Sequence, residues 1–230
     1  AVAVQRRAGY HDMGVFSRWI KFFRTEHKLE SRLPWGVPRR IVAGLLDTGL
    51  RLAAAESWHR LPAGWRVEHD PVFDGRFDSL WAAAASQFGT TTERTSQYLQ
   101  WRFGLDPQRQ YRTLAVTNAK GELQGYAVYL YPDPEQTLPF GAIIDLMFVD
   151  QVALNAVLDS LSRHLRQADA VGIQLLSFTL PSVEAALKRS GFIRREANFH
   201  LLVYLNPKWR SREGTVLDRH KWHLIEAEAK

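Results

Sequence analysis

One carboxylate stands alone within an otherwise apolar run of the sequence. Asp145 lies in FGAIIDLMFV (residues 140–149), whose length and composition predict a buried central strand. A buried acid is costly unless it is paired or takes part in chemistry. Two interpretations of Asp145 therefore stay open: it is a functional group, or it pairs with an arginine such as Arg102.

Three other sets of side chains have spacings that suit a site. Tyr98, Trp101 and Arg102 lie on one predicted helix, where aromatic residues at helical spacing also commonly fill a core. His200 and Tyr204 share one face of a predicted strand, because residues four apart point the same way. His220 and His223 have the i, i+3 spacing of a metal pair, but no third ligand converges on them, and we expect a surface tail there.

The hydrophobic pattern predicts the elements that would position these residues. Between residues 65 and 206 it reads as a strand, two helices, three strands and two helix–strand pairs. A hairpin leading into a central strand, followed by crossovers, predicts an α/β (α+β) sandwich with a mixed, mostly antiparallel central sheet flanked by helices. The predicted strands are 65–69, 111–118, 122–132, 140–149, 171–180 and 197–206, and the predicted helices are 77–88, 95–104, 151–169 and 181–190.

The composition is that of a globular protein. Hydrophobic residues make up 46% of the 230 residues and charged residues 23%. The absence of cysteine excludes disulfides, zinc–thiolate sites and cysteine nucleophiles. No apolar run approaches the ~20 residues of a membrane span, and no signal-peptide pattern is visible. We therefore expect a cytoplasmic protein without a membrane span.

The positive charge is concentrated at the start of the chain. Residues 1–66 contain 12 Lys and Arg against five Asp and Glu, whereas the remaining residues contain 18 against 19. The predicted domain is thus close to neutral, and we do not expect nucleic acid as its partner. A basic face in the first quarter would suit acidic lipid, nucleic acid or an acidic protein, or it is an ordinary solvated surface.

The element order, the strand LQGYAVYLYP and the ending ALKRSGFIRREANFHLLVYL together resemble the GNAT (Gcn5-related N-acetyltransferase) superfamily. The resemblance covers residues 65–206, since GNAT domains usually end with a helix, Gly-Phe and a final strand. The segment YLQWRFGLDPQRQYRTLAV is similar to GNAT-like proteins found with exopolysaccharide genes. The resemblance implies transfer of an acyl group from acetyl-CoA, or another acyl-CoA, to an amine acceptor, with an amino sugar as one candidate.

The first 24 residues repeat the ending of this domain. AVAVQRRAGYHDMGVFSRWIKFFR aligns without gaps, 182 residues earlier, with VEAALKRSGFIRREANFHLLVYLN. We therefore expect residues 1–24 to be the terminal helix and strand of a truncated preceding GNAT-like unit, as in a tandem-GNAT protein. Residues 25–64 would be a linker with a helix, and 207–230 a C-terminal tail. The alternative is a single domain whose first strand merely shares this pattern.

GNAT enzymes hold the acyl-CoA pyrophosphate with backbone N–H groups of a glycine-rich turn before a helix. Here the turn reads FVDQVALNAVLDSL, and the two glycine positions fall at Val152 and Leu154, whose bulk would crowd the approach. The helix N-terminus still offers N–H groups, and Asp150 is a good N-cap for it. The expected donor-binding residues are Met147, Phe148, Val149, Gln151, Val152, Ala153 and Leu154.

The resemblance also implies catalytic and acceptor roles. Asp145 on the fourth strand of the domain would act as general base or orienter. The usual tyrosine acid falls at Leu187 and the CoA-contacting asparagine at Leu180, so we expect Tyr204 to serve as the acid, with His200 as the alternative. The other interpretation of both residues is a half-buried aromatic ladder. The expected substrate-binding residues border the acceptor site or the last strand: Tyr98, Trp101, Arg102 and His200.

Three hypotheses about function follow. The first is a GNAT-type N-acyltransferase. The second is a catalytically silent GNAT-fold module with a degenerate CoA loop, which serves binding or packs against a preceding unit or a second copy. The third, weaker hypothesis is a transferase that uses aminoacyl-tRNA, which tandem units and the basic first quarter would suit.

Overall fold

The computed structural model describes residues 2–24, 47–49, 51–52, 54–133, 135 and 139–228, so most of the predicted linker lies outside the described residues. Eight strands form one sheet in the order β2-β3-β4-β5-β6-β1-β7, with β8 paired to β6. The strands are β1 (Tyr10–Phe22), β2 (Arg66–His69), β3 (Arg112–Thr117), β4 (Leu123–Leu130), β5 (Phe140–Phe148), β6 (Gly172–Phe178), β7 (Ile193–Tyr204) and β8 (Leu224–Ile225).

The helices flank this sheet, and two of them begin where a neighbouring strand ends. Asp150 caps the longest helix by accepting a hydrogen bond from the backbone N–H of Ala153 at 2.8 Å. Pro181 opens the next long helix at a position that tolerates proline. The α-helices are α1 (Val2–Arg7), α2 (Ala55–Trp58), α3 (Gly75–Ala84), α4 (Ser96–Leu99), α5 (Gln151–Gln167), α6 (Pro181–Arg189) and α7 (Glu213–Val216).

The predicted helix 95–104 is only partly an α-helix. Thr95 accepts a hydrogen bond from the N–H of Tyr98, and one α-helical turn follows as α4. The next five residues, Gln100–Gly104, form a π-helical turn. Because a π-turn widens the helix, the side chains after Leu99 are rotated away from the positions that regular α-helical spacing predicts.

The sheet is antiparallel apart from one parallel pair, β5 with β6. That pairing runs only from Phe140–Gly172 to Ile143–Leu175, although both strands continue further. The two strands therefore separate toward their carboxyl ends. We call the space between residues 144–148 of β5 and residues 176–178 of β6 the fork. The predicted architecture, a mixed and mostly antiparallel sheet flanked by helices, is confirmed.

The N-terminal strand is an integral part of this sheet. β1 lies between β6 and β7 and pairs antiparallel with both, with Ser17 opposite Ser177 and Tyr10 opposite Tyr204. The Trp19 side chain on β1 is completely buried in the main core. Residues 10–22 thus share one sheet with residues 65–206, and the origin of that strand in a preceding unit stays a prediction.

Most described residues from 207 to 221 are exposed, but residues 222–227 do not behave as a surface tail. Trp222, Leu224, Ile225 and Ala227 are buried, and β8 adds to the edge that β6 exposes where it leaves β5. The expectation of a surface tail at His220 and His223 is therefore wrong for His223, which is 0% exposed. The short apolar run WHLI is enough to fill a gap in a sheet, but too short to show a period.

Candidate functional site

The fork lies where strand topology favours ligand binding. In α/β sheets, crevices form at the carboxyl ends of adjacent parallel strands, where connecting helices leave in different directions. Here α5 begins directly after β5 and α6 directly after β6. The fork is therefore the candidate active site, and it contains the expected donor-binding residues Met147 and Phe148, with Val149 directly after them.

The chain's own C-terminal segment, residues 222–227, fills the fork. His223 bridges it: Nε2 lies 3.1 Å from the Leu146 carbonyl oxygen of β5, and Nδ1 lies 2.6 Å from Thr179 Oγ1 just beyond β6. Because the Leu146 carbonyl can only accept, Nε2 donates and Nδ1 accepts the Thr179 hydroxyl proton. Both ring nitrogens are therefore engaged, and His223 is not available as a metal ligand with His220.

Burial keeps His223 neutral at physiological pH. The loss of solvent and, secondly, the nearby positive charge of Arg94 lower the pKa of His223 to about 4. The imidazole also stacks on Phe88, with ring centroids 4.4 Å apart. His223 is thus a core residue whose hydrogen bonds connect β5 with the end of β6.

Further contacts fix the C-terminal segment. Thr91 Oγ1 donates to the His223 carbonyl at 2.8 Å, and the His223 N–H donates to the Thr90 carbonyl at 2.9 Å. Arg102 Nη2 donates to the Ala227 carbonyl at 3.1 Å. On β5 itself, Gln87 Nε2 donates to the Phe148 carbonyl at 2.7 Å. The backbone acceptors of β5 at Leu146 and Phe148 are thus already bonded to the chain's own side chains.

Asp145 is a buried, paired carboxylate. Arg94 Nε donates to its two oxygens at 2.9 and 3.2 Å, and the Tyr126 hydroxyl donates at 2.7 Å. Arg94 is itself 1% exposed and donates to Thr91 Oγ1 and the Thr92 carbonyl. The suggested pairing with Arg102 is wrong, because Arg102 holds the C-terminal segment. The interpretation of Asp145 as a paired acid is confirmed, and its partner is Arg94.

Asp150 caps α5 as predicted. The expectation that Leu154 would crowd the approach to this turn is wrong. The N–H of Ala153 is bonded to the Asp150 carboxylate and the N–H of Leu154 to the Asp150 carbonyl. The Ala153 and Leu154 side chains are fully buried, so Leu154 does not crowd the outer approach. Val152 is 51% exposed and is the side chain that a ligand at this turn would meet.

Tyr204 and His200 lie far from Asp145. Both belong to β7, which is separated from β5 by β6 and β1, three strand spacings of ~4.8 Å. The Tyr204 ring packs on Tyr10 with centroids 5.4 Å apart, and His200 Nδ1 lies 3.2 Å from Asp12. The structure therefore does not bring Tyr204 and Asp145 to one reacting atom.

The expected acceptor residues are divided by the π-turn. Tyr98 is half-buried and packs against the main core, whereas Trp101 is 65% exposed. Their ring centroids are 5.8 Å apart. Only Arg102 of this group reaches the fork, through the carbonyl of Ala227.

Sequence reasoning missed the residues that line and fill the fork: Gln87, Thr91, Arg94 and His223. Gln87, Thr91 and Arg94 occur in loops or at helix ends, where no hydrophobic period points to them. Of these four, Arg94 has an indirect signal in the sequence, because a lone acid in an apolar strand requires a cation. Arg94 belongs to the stretch TTERTS that precedes a helix.

Among the described residues, cavities border these elements at several places. One of about 590 Å³ lies beside the C-terminal segment, between Trp81, Phe88, Thr90 and Thr91 and the residues around Arg212. One of about 390 Å³ lies near Val149, Lys120 and Gln124. Another of about 390 Å³ separates residues 58–62 from the first half of α5.

No protein-family model matches the chain, and no curated protein matches it. Solved structures of several proteins are similar to it, and three of them illustrate the likeness. They are a conserved protein of unknown function from Enterococcus faecalis V583, described as a probable N-acyltransferase (TM-score 0.56, 10% identity, 88% of this chain and 42% of that chain); Saccharomyces cerevisiae N-myristoyltransferase with bound myristoyl-CoA (0.49, 14%, 86% and 51%); and a GCN5-related N-acetyltransferase from Sphaerobacter thermophilus (0.44, 15%, 87% and 54%).

The similarity to the E. faecalis protein, at 10% identity, shows a shared fold. The chain spans 42 to 54% of the length of these three proteins. Within the described residues, no helix has the length and apolar character needed to cross a membrane.

Proposed function

We propose that the protein is a GNAT-type N-acyltransferase, which moves an acetyl or other acyl group from acyl-CoA to an amine acceptor. The observation that carries this proposal is the fork between β5 and β6, followed directly by the capped start of α5. This arrangement combines a crevice at two strand ends with a helix N-terminus, where an anion is favoured. The sequence resemblance favours an amino sugar as the acceptor, and a cytoplasmic location remains our expectation.

In this proposal the donor lies along the outer end of β5 and the turn after it. The backbone from Met147 to Val149 would contact the pantetheine arm, and the turn from Gln151 to Leu154 would face the pyrophosphate. Asp145 would not take the amine proton itself, because Arg94 and Tyr126 already bind it. Asp145 would instead orient the Arg94 and Tyr126 side chains beneath the reacting carbonyl. A donor in the fork would also have to displace Gln87 or part of the C-terminal segment.

The filled fork favours a second candidate function. If residues 222–227 stay in place, the backbone acceptors of β5 are not available to a donor. The chain would then be a catalytically silent GNAT-fold unit, retained for packing against a preceding unit or a second copy. The deep burial of His223 and Ile225, each 0% exposed, supports this candidate.

Calorimetric titration with acetyl-CoA distinguishes the two. Micromolar binding, about −8 kcal/mol, supports acyl transfer, and desulfo-CoA shows whether the thioester contributes. The informative variant is Val152→Gly, which removes the exposed side chain at the predicted pyrophosphate turn. If the donor lies there, we expect about tenfold tighter binding, because glycine allows closer backbone approach.

Val72→Gly is the matched control, since Val72 is a similarly exposed valine outside α5 (76% exposed). It should leave the affinity unchanged. No binding of acetyl-CoA to either protein at about millimolar ligand would contradict donor binding by this chain and support the silent unit.

A further inference from the structure

A cleft on the outer side of α5 has features of a second binding site. Residues 58–62 form one wall, and Val152, Asn155, Asp159 and Arg163, which lie about one helical turn apart, form the other. Its volume is about 390 Å³, within the range of small-molecule sites. We call it the His59 cleft.

Two buried polar atoms in this cleft have no partner among the described residues. Asp159 is 3% exposed, and its Oδ2 lies 2.9 Å from His59 Nδ1. Its other oxygen, Oδ1, is buried and unbonded within the described part of the chain, as is Nε of Arg163. Proteins rarely leave buried polar atoms unbonded, so one acceptor and one donor on the same cleft indicate a ligand that supplies both partners.

Below the cleft, one carboxylate lies between two cations. Lys21 Nζ lies 2.6 Å from Glu56 Oε2, and Arg166 Nη2 lies 2.8 Å from Glu56 Oε1. Burial raises the pKa of Asp159, against the opposing effect of its hydrogen bond with His59. The side chains that face the cleft itself include Arg60 and Arg163, so an anionic group is favoured there.

The apolar part of the cleft suits a ring. The indole of Trp58 lines the wall and is 71% exposed, beside Leu61 and Pro62. An exposed aromatic face next to a few directed polar groups is the usual composition of a site for a small polar molecule.

We propose that the His59 cleft binds a sugar phosphate. The phosphate pairs with Arg60 and Arg163, a ring hydroxyl donates to Asp159 Oδ1, and the ring packs on Trp58. His59, held by Asp159 through Nδ1, presents Nε2 to the ligand. The inference does not depend on acyl transfer, because binding of a sugar phosphate is measured without an acyl donor.

Glucose 6-phosphate is the probe for calorimetric titration into the full chain. We expect saturable binding, weakened about tenfold by Arg163→Gln and by His59→Gln, because each variant removes one charged or polar contact to the ligand. The exposed His59 also gives a variant that leaves the core untouched. Arg189→Gln, an exposed arginine on α6, is the control and should leave the affinity unchanged.

Glucose and inorganic phosphate separate the two halves of the ligand, and each should bind at least about tenfold more weakly than glucose 6-phosphate. Equal binding of phosphate would overturn the sugar assignment. Binding that His59→Gln and Arg163→Gln do not change, or no saturation by glucose 6-phosphate, would overturn the site. Coenzyme A that binds in its place and is weakened by the same two variants would also overturn the proposal, by assigning the cleft to the donor.

Discussion

At the scale of single residues, the two most informative groups are a buried ion pair and a buried imidazole. Asp145 and Arg94 neutralise each other within the core, and His223 joins β5 to the end of β6. In the sequence, Asp145 is visible as a lone acid in an apolar run, whereas His223 was expected on a surface tail. Neither partner was visible, because Arg94 and Asp145 are 51 residues apart and only the fold brings them together.

Replacing one member of the ion pair should destabilise the protein. In Asp145→Asn the buried guanidinium of Arg94 loses the carboxylate that accepts from its Nε, and we expect a loss of about 3 kcal/mol in the free energy of unfolding. Denaturant titration measures this loss. Glu93→Gln, the exposed acid beside Arg94, should change the free energy by less than about 0.5 kcal/mol. Full stability combined with lost acyl transfer would instead make Asp145 a catalytic base.

His223 should make stability depend on pH. Its pKa is about 4 in the folded chain and about 6.5 when unfolded, so the unfolded state binds the proton first as the pH falls. The contribution is complete above pH 6.5 and decreases between about pH 6.5 and 4, by up to ~1.4 kcal/mol per pH unit.

Unfolding curves across that pH range, compared between wild type and His223→Gln, measure the effect. The variant should show a smaller slope, while the exposed His220→Gln should retain the wild-type slope. Equal slopes in wild type and His223→Gln would show that the imidazole does not reside in the core.

At the scale of elements, the parallel β5–β6 pair and its neighbour β1 are packed without spare space. A Cβ at Gly172, the first residue of β6, would lie 2.3 Å from the Lys21 carbonyl oxygen and 2.5 Å from the Phe140 ring. The glycine therefore allows three strands to approach where the sheet changes from parallel to antiparallel pairing. Sequence patterns predicted β5 and β6 nearly to the residue, but they did not predict β1 beside them.

Gly172→Ala tests this close approach. Since backbone must move to admit the methyl group, we expect a loss of about 2 kcal/mol. Thermal unfolding measures it as a lower Tm. Gly75→Ala, at the start of α3 where a Cβ meets nothing within 4 Å, should be neutral or slightly stabilising. A Gly172→Ala protein as stable as wild type would contradict this packing.

At the scale of the whole molecule, the sheet is held together by its two chain ends. β1 fills the space between β6 and β7, and β8 covers the open edge of β6. Periodicity predicted the central strands and the long helices α5 and α6, because their apolar patterns are long enough to read. It did not predict where β1 and β8 join the sheet, because strand order depends on which distant edges need a partner.

Removal of residues 1–24 should therefore abolish folding of the rest. β6 would expose an unpaired edge, and the space left by Trp19 and Phe23 would open the core. Gel filtration and circular dichroism of the shortened chain should show aggregation or loss of structure. A monomeric, folded chain without these residues would show that β1 is not required for the rest of the sheet to fold.

The position of β1 also sets the order of events during synthesis. β1 can pair only after β6 and β7 have been synthesised, because Ser17 lies opposite Ser177 and Tyr10 opposite Tyr204. At about 5–20 residues per second, a separation of 160 residues leaves β1 unpaired for roughly 8–30 s on the ribosome. Throughout that interval the strand carries Phe16, Trp19 and Phe23 without the surface that buries them. Exposed apolar surface and an unpaired strand favour aggregation until the sheet closes around β1.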